Sequence, residues 1–70
     1  MTVIYIKKIF QDRYNIQASL DDYYYINRIH NIIPSYLILG NTYVELIIDN
    51  EYIDNLFDLA EHFGISIHEK

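Results

Sequence analysis

Histidine and carboxylate side chains, the usual ligands of protein-bound metals, are scattered along this chain. His30, His62 and His68 are its only histidines, and no two of them have the spacing of a zinc motif. Glu61 and Glu69 adjoin two of these histidines, but the two pairs fall on different predicted elements. The sequence therefore predicts no metal site and no cofactor.

Groups that could act as nucleophiles or general acids lack the neighbours that catalysis requires. None of the serines, Ser19, Ser35 and Ser66, lies between the two glycines that form a nucleophile elbow. The adjacent carboxylates of Asp21 and Asp22 are better explained by a helix N-terminus, where negative charge is favoured. With 2 glycines in the whole chain, there is no glycine-rich phosphate loop. We predict a protein without enzymatic activity.

Length and composition indicate one small domain that spans residues 1–70. The chain has no cysteine, so disulfides and thiolate metal sites cannot support it, and its 51% hydrophobic residues must form the core. A signal peptide requires a basic segment directly after Met1, and this chain has none there. No apolar run approaches the roughly 20 residues that span a membrane. These features predict a soluble cytoplasmic protein.

The formal net charge of −5 is unevenly distributed along the chain. Residues 36–70 hold one lysine against seven carboxylates, which gives this half a formal charge of −6. An acidic surface repels phosphate, so direct binding to nucleic acid is disfavoured. The same charge attracts basic surfaces, and we therefore expect a basic protein partner.

Hydrophobic periodicity and turn residues divide the chain into strands and helices. The predicted order is a strand over 2–10, a loop over 11–18, a helix over 19–33, a hairpin over 36–48, a helix over 49–63 and a short strand over 65–68. Ser19 is the expected N-cap of the first helix, with Asp22 as its capping-box partner. Asp49 or Asn50 is the expected cap of the second helix.

The proline and the two glycines mark the ends of elements. Pro34 ends the first helix because the residue before a proline avoids helical angles, and Gly64 suits the left-handed position after the second helix. Gly40 and Asn41 predict a two-residue type II′ turn in the hairpin. The apolar stripes of the two helices are Tyr25, Ile26, Ile29, Ile32 and Ile33, and Ile53, Leu56, Phe57, Ala60 and Phe63.

The βαββαβ order is similar to the ferredoxin-like arrangement, in which four antiparallel strands have both helices on one face. We therefore predict an α+β fold with the first and third strands at the centre of the sheet. A three-stranded sheet with two helices is the alternative. The strand residues that period-two alternation directs toward the helices are Val44, Leu46, Ile48, Leu37, Leu39, Ile4, Ile6, Ile65 and Ile67.

The opposite face of the sheet is left uncovered and is predicted to be an interface. Its residues by alternation are Val3, Tyr5, Lys7, Tyr36, Ile38, Tyr43, Glu45, Ile47, Ser66 and His68. Exposed apolar patches mark interfaces and tyrosine is enriched in interface cores, so Tyr5, Tyr36 and Tyr43 are candidate partner-binding residues. A homodimer through this face, or the loop over 11–18 folded across it, would also cover it.

The second helix presents a row of carboxylates on the side opposite its apolar stripe. This acidic stripe consists of Glu51, Asp54, Asp58 and Glu61. Their spacings of three, four and three residues are typical of a solvated helix face, and they also suit docking to a basic partner. Tyr23 and Tyr24, which fall outside the apolar stripe of the first helix, are further candidate partner-binding residues.

Three functions are consistent with these surfaces. The favoured one is a small acidic protein-binding module, an inhibitor or adaptor that docks a basic or nucleic-acid-binding partner. In size and charge the chain is similar to phage-encoded inhibitors of host defence, anti-CRISPR proteins among them. The alternatives are a self-associating structural or assembly subunit, and a small-ligand regulatory domain, since the strand order resembles that of amino-acid-sensing ACT domains.

Overall fold

The computed structural model describes residues 2–69, which form one sheet with helices packed on it. The elements, in chain order, are β1 (Val3–Phe10), β2 (Arg13–Ser19), α1 (Tyr23–Ile32), β3 (Tyr36–Leu39), β4 (Tyr43–Asp49), α2 (Ile53–Phe63) and β5 (Ser66–Glu69). A single 3₁₀ turn precedes each helix, Leu20–Asp22 before α1 and Asn50–Tyr52 before α2. Neither helix is long and apolar enough to cross a membrane.

The five strands lie side by side in the order β3-β4-β2-β1-β5. Neighbouring strands are antiparallel except β1 and β5, which are parallel. The prediction of an α+β chain is confirmed. The predicted sheet of four antiparallel strands is wrong, because residues 13–18 of the predicted loop, together with Ser19 from the start of the predicted helix, form the central strand β2.

The extra strand explains why the sheet is mixed. β2 follows β1 through a turn at residues 11 and 12 and lies between β1 and β4, the two strands predicted to be central. β2 adds one reversal of chain direction, and β5 therefore runs parallel to β1. Without β2, β5 would run antiparallel to β1. The resulting ββαββαβ order also differs from the order on which the resemblance to ACT domains rests.

Alternation along the strands places one face of the sheet under both helices. The buried core consists of Ile4, Ile6, Ile16, Ala18, Val44, Leu46 and Ile48 from the sheet, Ile26, Ile29 and Ile33 from α1 and its C-cap, Leu56 and Ala60 from α2, and Ile65. These side chains form a single cluster, so the two helices cover the same side of the sheet. Within residues 2–69 no polar or charged residue is buried.

Four side chains depart from the predicted stripes. Leu39 pairs with Val44 and therefore faces the helices, yet it is 58% exposed because β3 is at the edge of the sheet. Ile32 at the end of α1 and Phe57 on α2 are also exposed, at 57% and 44%. Tyr23, expected outside the apolar stripe, instead packs partly buried against the core.

The helix N-termini differ in part from the predicted caps. Ser19 Oγ accepts a hydrogen bond from the Asp21 N–H at 3.2 Å, so Ser19 caps the 3₁₀ turn before α1. The predicted capping box does not form. The Asp22 carboxylate instead accepts a hydrogen bond from Thr2 Oγ1 at 3.4 Å. Asp49 precedes the second 3₁₀ turn without capping it through its side chain.

Both predicted helix C-termini are confirmed. Ile33, which precedes Pro34, has extended backbone angles, so α1 cannot continue into the proline. Gly64 has φ of 71°, and its N–H donates to the carbonyl groups of Ala60 and Glu61. A side chain is strained at such a positive φ, which is why glycine ends α2.

Gly40 has a different role from the one predicted. Its N–H donates to the Tyr43 carbonyl at 2.9 Å and closes the β3–β4 turn. Its φ is not positive, so the turn is not of type II′. The tyrosine ring packs directly against Gly40, where a Cβ atom would lie 2.8 Å from Tyr43 Cδ1 and closer still to Cε1. Glycine is needed here for space.

The central position of β2 makes Ile16 a core residue, with 0% exposure. We expect Ile16→Ala to lower the free energy of unfolding by about 2–5 kcal/mol, because it removes buried methyl groups and leaves a cavity. Urea denaturation followed by circular dichroism measures this change. Gln11→Ala in the preceding turn is the control and should change it by less than about 0.5 kcal/mol. Equal effects of the two substitutions would contradict the central placement of β2.

The contact between Gly40 and Tyr43 predicts an energetic coupling. We expect Gly40→Ala to cost about 1 kcal/mol of stability, since the tyrosine ring must swing away from the new methyl group. In a Tyr43→Ala background the same substitution should cost nothing, or stabilise the chain by restricting the unfolded state. A double-mutant cycle measures the difference. A Gly40→Ala cost that is identical in both backgrounds would show that the ring is not responsible.

Candidate protein interface

The sheet face that the helices leave uncovered contains all ten residues predicted for it. The strand register aligns them in cross-strand rows, and the longest row is Ile38–Glu45–Gln17–Tyr5–His68. A second row is Tyr36–Ile47–Asn15–Lys7. Paired residues in neighbouring strands point to the same side of a sheet, so these rows form one continuous surface.

The middle of this face is polar, a feature that the sequence interpretation missed. Asn15 and Gln17 of β2 lie between Glu45 on one side and the residues of β1 on the other. Asn15 Nδ2 donates to Glu45 Oε2 at 3.3 Å, and Gln17 Nε2 donates to Oε1 at 3.4 Å. The two amides hold the carboxylate in one orientation on the sheet. The alternation of polar and apolar residues over 13–19 was the available sequence signal.

The apolar part of the face lies on the two strands at one side of the sheet. We define the β3–β4 patch as Tyr36, Ile38, Tyr43, Glu45 and Ile47. Tyr36 is 72% exposed, Ile38 41% and Tyr43 39%. Glu45 and Ile47 are half-buried, with Glu45 paired to Ile38 and flanked along β4 by Tyr43 and Ile47. The patch thus surrounds one fixed carboxylate with large apolar side chains.

The third predicted tyrosine of this face, Tyr5, lies outside the patch on β1. Its ring centroid is 6.1 Å from that of His68 on β5, with the two rings tilted by 57°. Lys7, two residues along β1, is exposed on the same face. Tyr5 and Tyr43 are therefore separated by the polar side chains of β2 rather than in one aromatic cluster.

The acidic stripe lies on a different side of the molecule. All four of its residues are exposed, on α2 and on the 3₁₀ turn before it. Since α2 packs against the opposite face of the sheet, the stripe and the β3–β4 patch are two separate surfaces. Across residues 2–69 the one ion pair joins Arg13 Nε to Asp49 Oδ1 at 3.6 Å. Neither residue belongs to the acidic stripe, so no ion pair among the described residues neutralises the carboxylates of the stripe.

The tyrosines of α1 form part of the helix packing. Tyr23 is partly buried against the core. Tyr24 is 61% exposed, and its hydroxyl accepts a hydrogen bond from Arg28 Nη1 at 2.9 Å. The Arg28 guanidinium also lies 5.7 Å from the Tyr24 ring centroid and 5.0 Å from that of Phe63, a cation–π arrangement. Tyr24 is therefore accessible but already held by an intramolecular partner.

The histidines lie in separate environments. His30 Nδ1 donates to Ser35 Oγ at 2.7 Å, because the serine hydroxyl is itself the donor to the Ile33 carbonyl at 2.9 Å. His62 lies against Phe63, with ring centroids 5.6 Å apart, and His68 lies against Tyr5. In the part of the chain that the structure covers, no three histidine, aspartate or glutamate side chains form a group that could hold a metal.

Three exposed surfaces therefore remain as candidates: the β3–β4 patch, the acidic stripe and the exposed side of α1. The patch combines three large exposed apolar side chains with an oriented charge, whereas the stripe has four exposed carboxylates and a single large exposed apolar side chain, Phe57, on the same helix. Comparisons with protein-family models, with curated proteins and with solved structures return no match for this chain.

Proposed function

We propose that this chain is a non-enzymatic protein-binding module, an inhibitor or adaptor, that docks a basic surface of its partner against the β3–β4 patch. The observation on which this proposal rests is the exposure of Tyr36, Ile38 and Tyr43 around a carboxylate that two amides orient. Contiguous exposed apolar patches are uncommon on monomeric proteins and usually belong to interaction sites.

The arrangement around Glu45 suits an arginine or lysine of the partner. Arginine and tyrosine are enriched among the residues that dominate interface energetics, and they act best when neighbouring apolar contacts exclude water. The two amides donate to the Glu45 oxygens from β2, and the carboxylate can still accept further hydrogen bonds from a guanidinium. The Tyr43 ring beside it offers a cation–π contact to the same group.

The remaining charge of the chain supports a basic partner through long-range attraction. The acidic stripe lies on the far side of the sheet from the patch, so it does not touch a partner docked there. It nevertheless contributes to a net charge of −5, which raises the rate of encounter with a basic protein. In this interpretation the stripe affects association, and the patch determines how long the complex lasts.

A second candidate function is favoured by the four exposed carboxylates of the acidic stripe. Recurring along one helix face, they resemble the regular negative charge of a nucleic-acid backbone. In this second candidate function the acidic stripe is the docking surface, and the chain competes with nucleic acid for a basic site on the partner.

Substitutions on the two surfaces distinguish these candidates. We expect Glu45→Gln to weaken partner affinity by roughly 10- to 100-fold, because hydrogen bonds to charged groups contribute about 1.5–3 kcal/mol. Tyr36→Ala removes a highly exposed side chain and should weaken affinity similarly without unfolding the chain. Partners identified by affinity capture and mass spectrometry are purified, and their association and dissociation rates are measured by biolayer interferometry.

The matched control is the double variant Asp54→Asn with Asp58→Asn, which removes two charges from the acidic stripe. It should slow association and reduce the salt dependence of that rate, while the dissociation rate stays unchanged. Thermal denaturation of each variant checks that the fold is intact. If the stripe variant abolishes binding and Glu45→Gln leaves it intact, the patch is not the docking surface and the second candidate holds.

A further inference from the structure

The outer edge of β3 has no neighbouring strand within residues 2–69, since β3 is the last strand on its side of the sheet. Its four residues, Tyr36, Leu37, Ile38 and Leu39, are all apolar or aromatic. Three of them are exposed, and they lie on both faces of the strand: Tyr36 and Ile38 on the uncovered face, and Leu39 on the helix side. Exposed apolar edges of this kind are templates for pairing with another strand.

Two hydrogen bonds show which backbone groups of β3 point outward. The Gly40 N–H donates to the Tyr43 carbonyl, so odd-numbered residues of β4 bond to even-numbered residues of β3. The Leu20 N–H donates to the Thr42 carbonyl, which shows that even-numbered residues of β4 bond toward β2. In an antiparallel pair the bonding alternates, so the N–H and C=O groups of Leu37 and Leu39 point away from β4.

We propose that a second copy of this chain pairs with the outer edge of β3, antiparallel and related by a two-fold axis at Ile38. In this register Leu37 of each copy lies opposite Leu39 of the other, and the outward N–H and C=O groups of these residues form four reciprocal hydrogen bonds. The two Ile38 side chains lie opposite each other on the uncovered face. Exposed Leu39 is then covered by Leu37 of the second copy, and the two sheets become one of ten strands.

The absence of charge on β3 allows a second copy to pair there, although the chain is acidic overall. No Lys, Arg, Asp or Glu lies between Arg28 and Glu45 in the sequence, so β3 itself and the segments on either side of it have no formal charge. The nearest carboxylate on the same row is Glu45, one strand inward from Ile38. Across the proposed axis the two Glu45 residues are three strand spacings apart, about 14 Å. This distance exceeds the Debye length of about 8–10 Å, so their repulsion is screened.

The other edge of the sheet is built differently. β5 ends with His68 and Glu69, both exposed, and charged or polar side chains on an edge strand discourage pairing. One edge is therefore protected and the other is not, which limits association to a closed dimer and prevents an open chain of copies. The dimer does not depend on the proposed partner-binding function, because it forms through a strand edge and leaves Glu45 uncovered.

Sedimentation velocity of the purified full-length chain tests the dimer, with protein from micromolar to millimolar concentration and no partner added. We expect a concentration-dependent dimer that Leu39→Lys abolishes, because two lysines would then face the partner strands. Leu39 is exposed, so this substitution leaves the core intact. Phe10→Lys is the matched control: Phe10 is 63% exposed at the end of β1, away from β3, and its substitution should leave the dimer unchanged.

A cysteine cross-link tests the register independently, since the chain has no cysteine of its own. Ile38→Cys should form a disulfide-linked dimer under mild oxidation, because opposing residues on antiparallel strands lie within the range of Cα separations that a disulfide requires. Tyr36→Cys is more exposed but should remain uncross-linked, since the register places the two copies of this residue on the order of 13 Å apart along the strands.

Several results would overturn the proposal. They are a monomer at every concentration, a dimer that survives Leu39→Lys or is lost with Phe10→Lys, and disulfide formation by Tyr36→Cys as fast as by Ile38→Cys. A chain that stays monomeric but pairs with strands of other proteins would also overturn it. No partner protein is present in these experiments. A result that overturns the dimer therefore does not change the expected effect of Glu45→Gln on partner binding.

Discussion

The pairing of β2 with both β1 and β4 is the constraint on which the rest of the structure depends. Seven residues of β2 are in register with β4, and the opposite edge of β2 pairs with β1. The sheet otherwise consists of two separate pairs, β3 with β4 and β1 with β5. Ile16 and Ala18 are buried on the core side of β2. Ile16 pairs with Ile6 of β1 and with Leu46 of β4, and Ala18 pairs with Val44 of β4. Two short strand pairs and two helices are thereby united around one core.

The same register determines the chemistry of the uncovered face. Strand residues alternate between the two faces, so the positions that bury Ile16 and Ala18 necessarily place Asn15 and Gln17 on the other side. These amides bond to Glu45 and make the middle of the face polar. The large apolar side chains remain at one side, on β3 and β4. The position of the β3–β4 patch is therefore a consequence of how the core is packed.

The acidic stripe and the β3–β4 patch are two separate surfaces of this molecule. The acidic stripe is on the outside of α2, above one face of the sheet, and the β3–β4 patch is on the other face. In the function we propose, long-range attraction and close contact with a partner would come from these two different surfaces, so each could change without disrupting the other. The uncharged segment between Arg28 and Glu45 includes β3, whose edge and outer face are both exposed apolar surfaces.

Local sequence signals predicted the elements that they specify directly. Pro34 and Gly64 ended the two helices as expected, because their backbone restrictions act on immediate neighbours. The alternation in β1, β4 and β5 predicted which residues face the helices and which form the uncovered face. The exposure of Leu39 could not be predicted in the same way, since alternation gives the face of a residue but not whether its strand is at an edge.

The sequence by itself determined the two helices, the β3–β4 hairpin and the division of side chains between two sheet faces. The polar composition of residues 11–18 predicts a loop, whereas the alternation over 13–19 is that of a strand with one solvated face. Only the tertiary structure decided that this strand lies at the centre, that β5 is parallel to β1, and that two amides hold Glu45. These features depend on pairing between residues far apart in the chain, whose energies arise from contacts that no local pattern encodes.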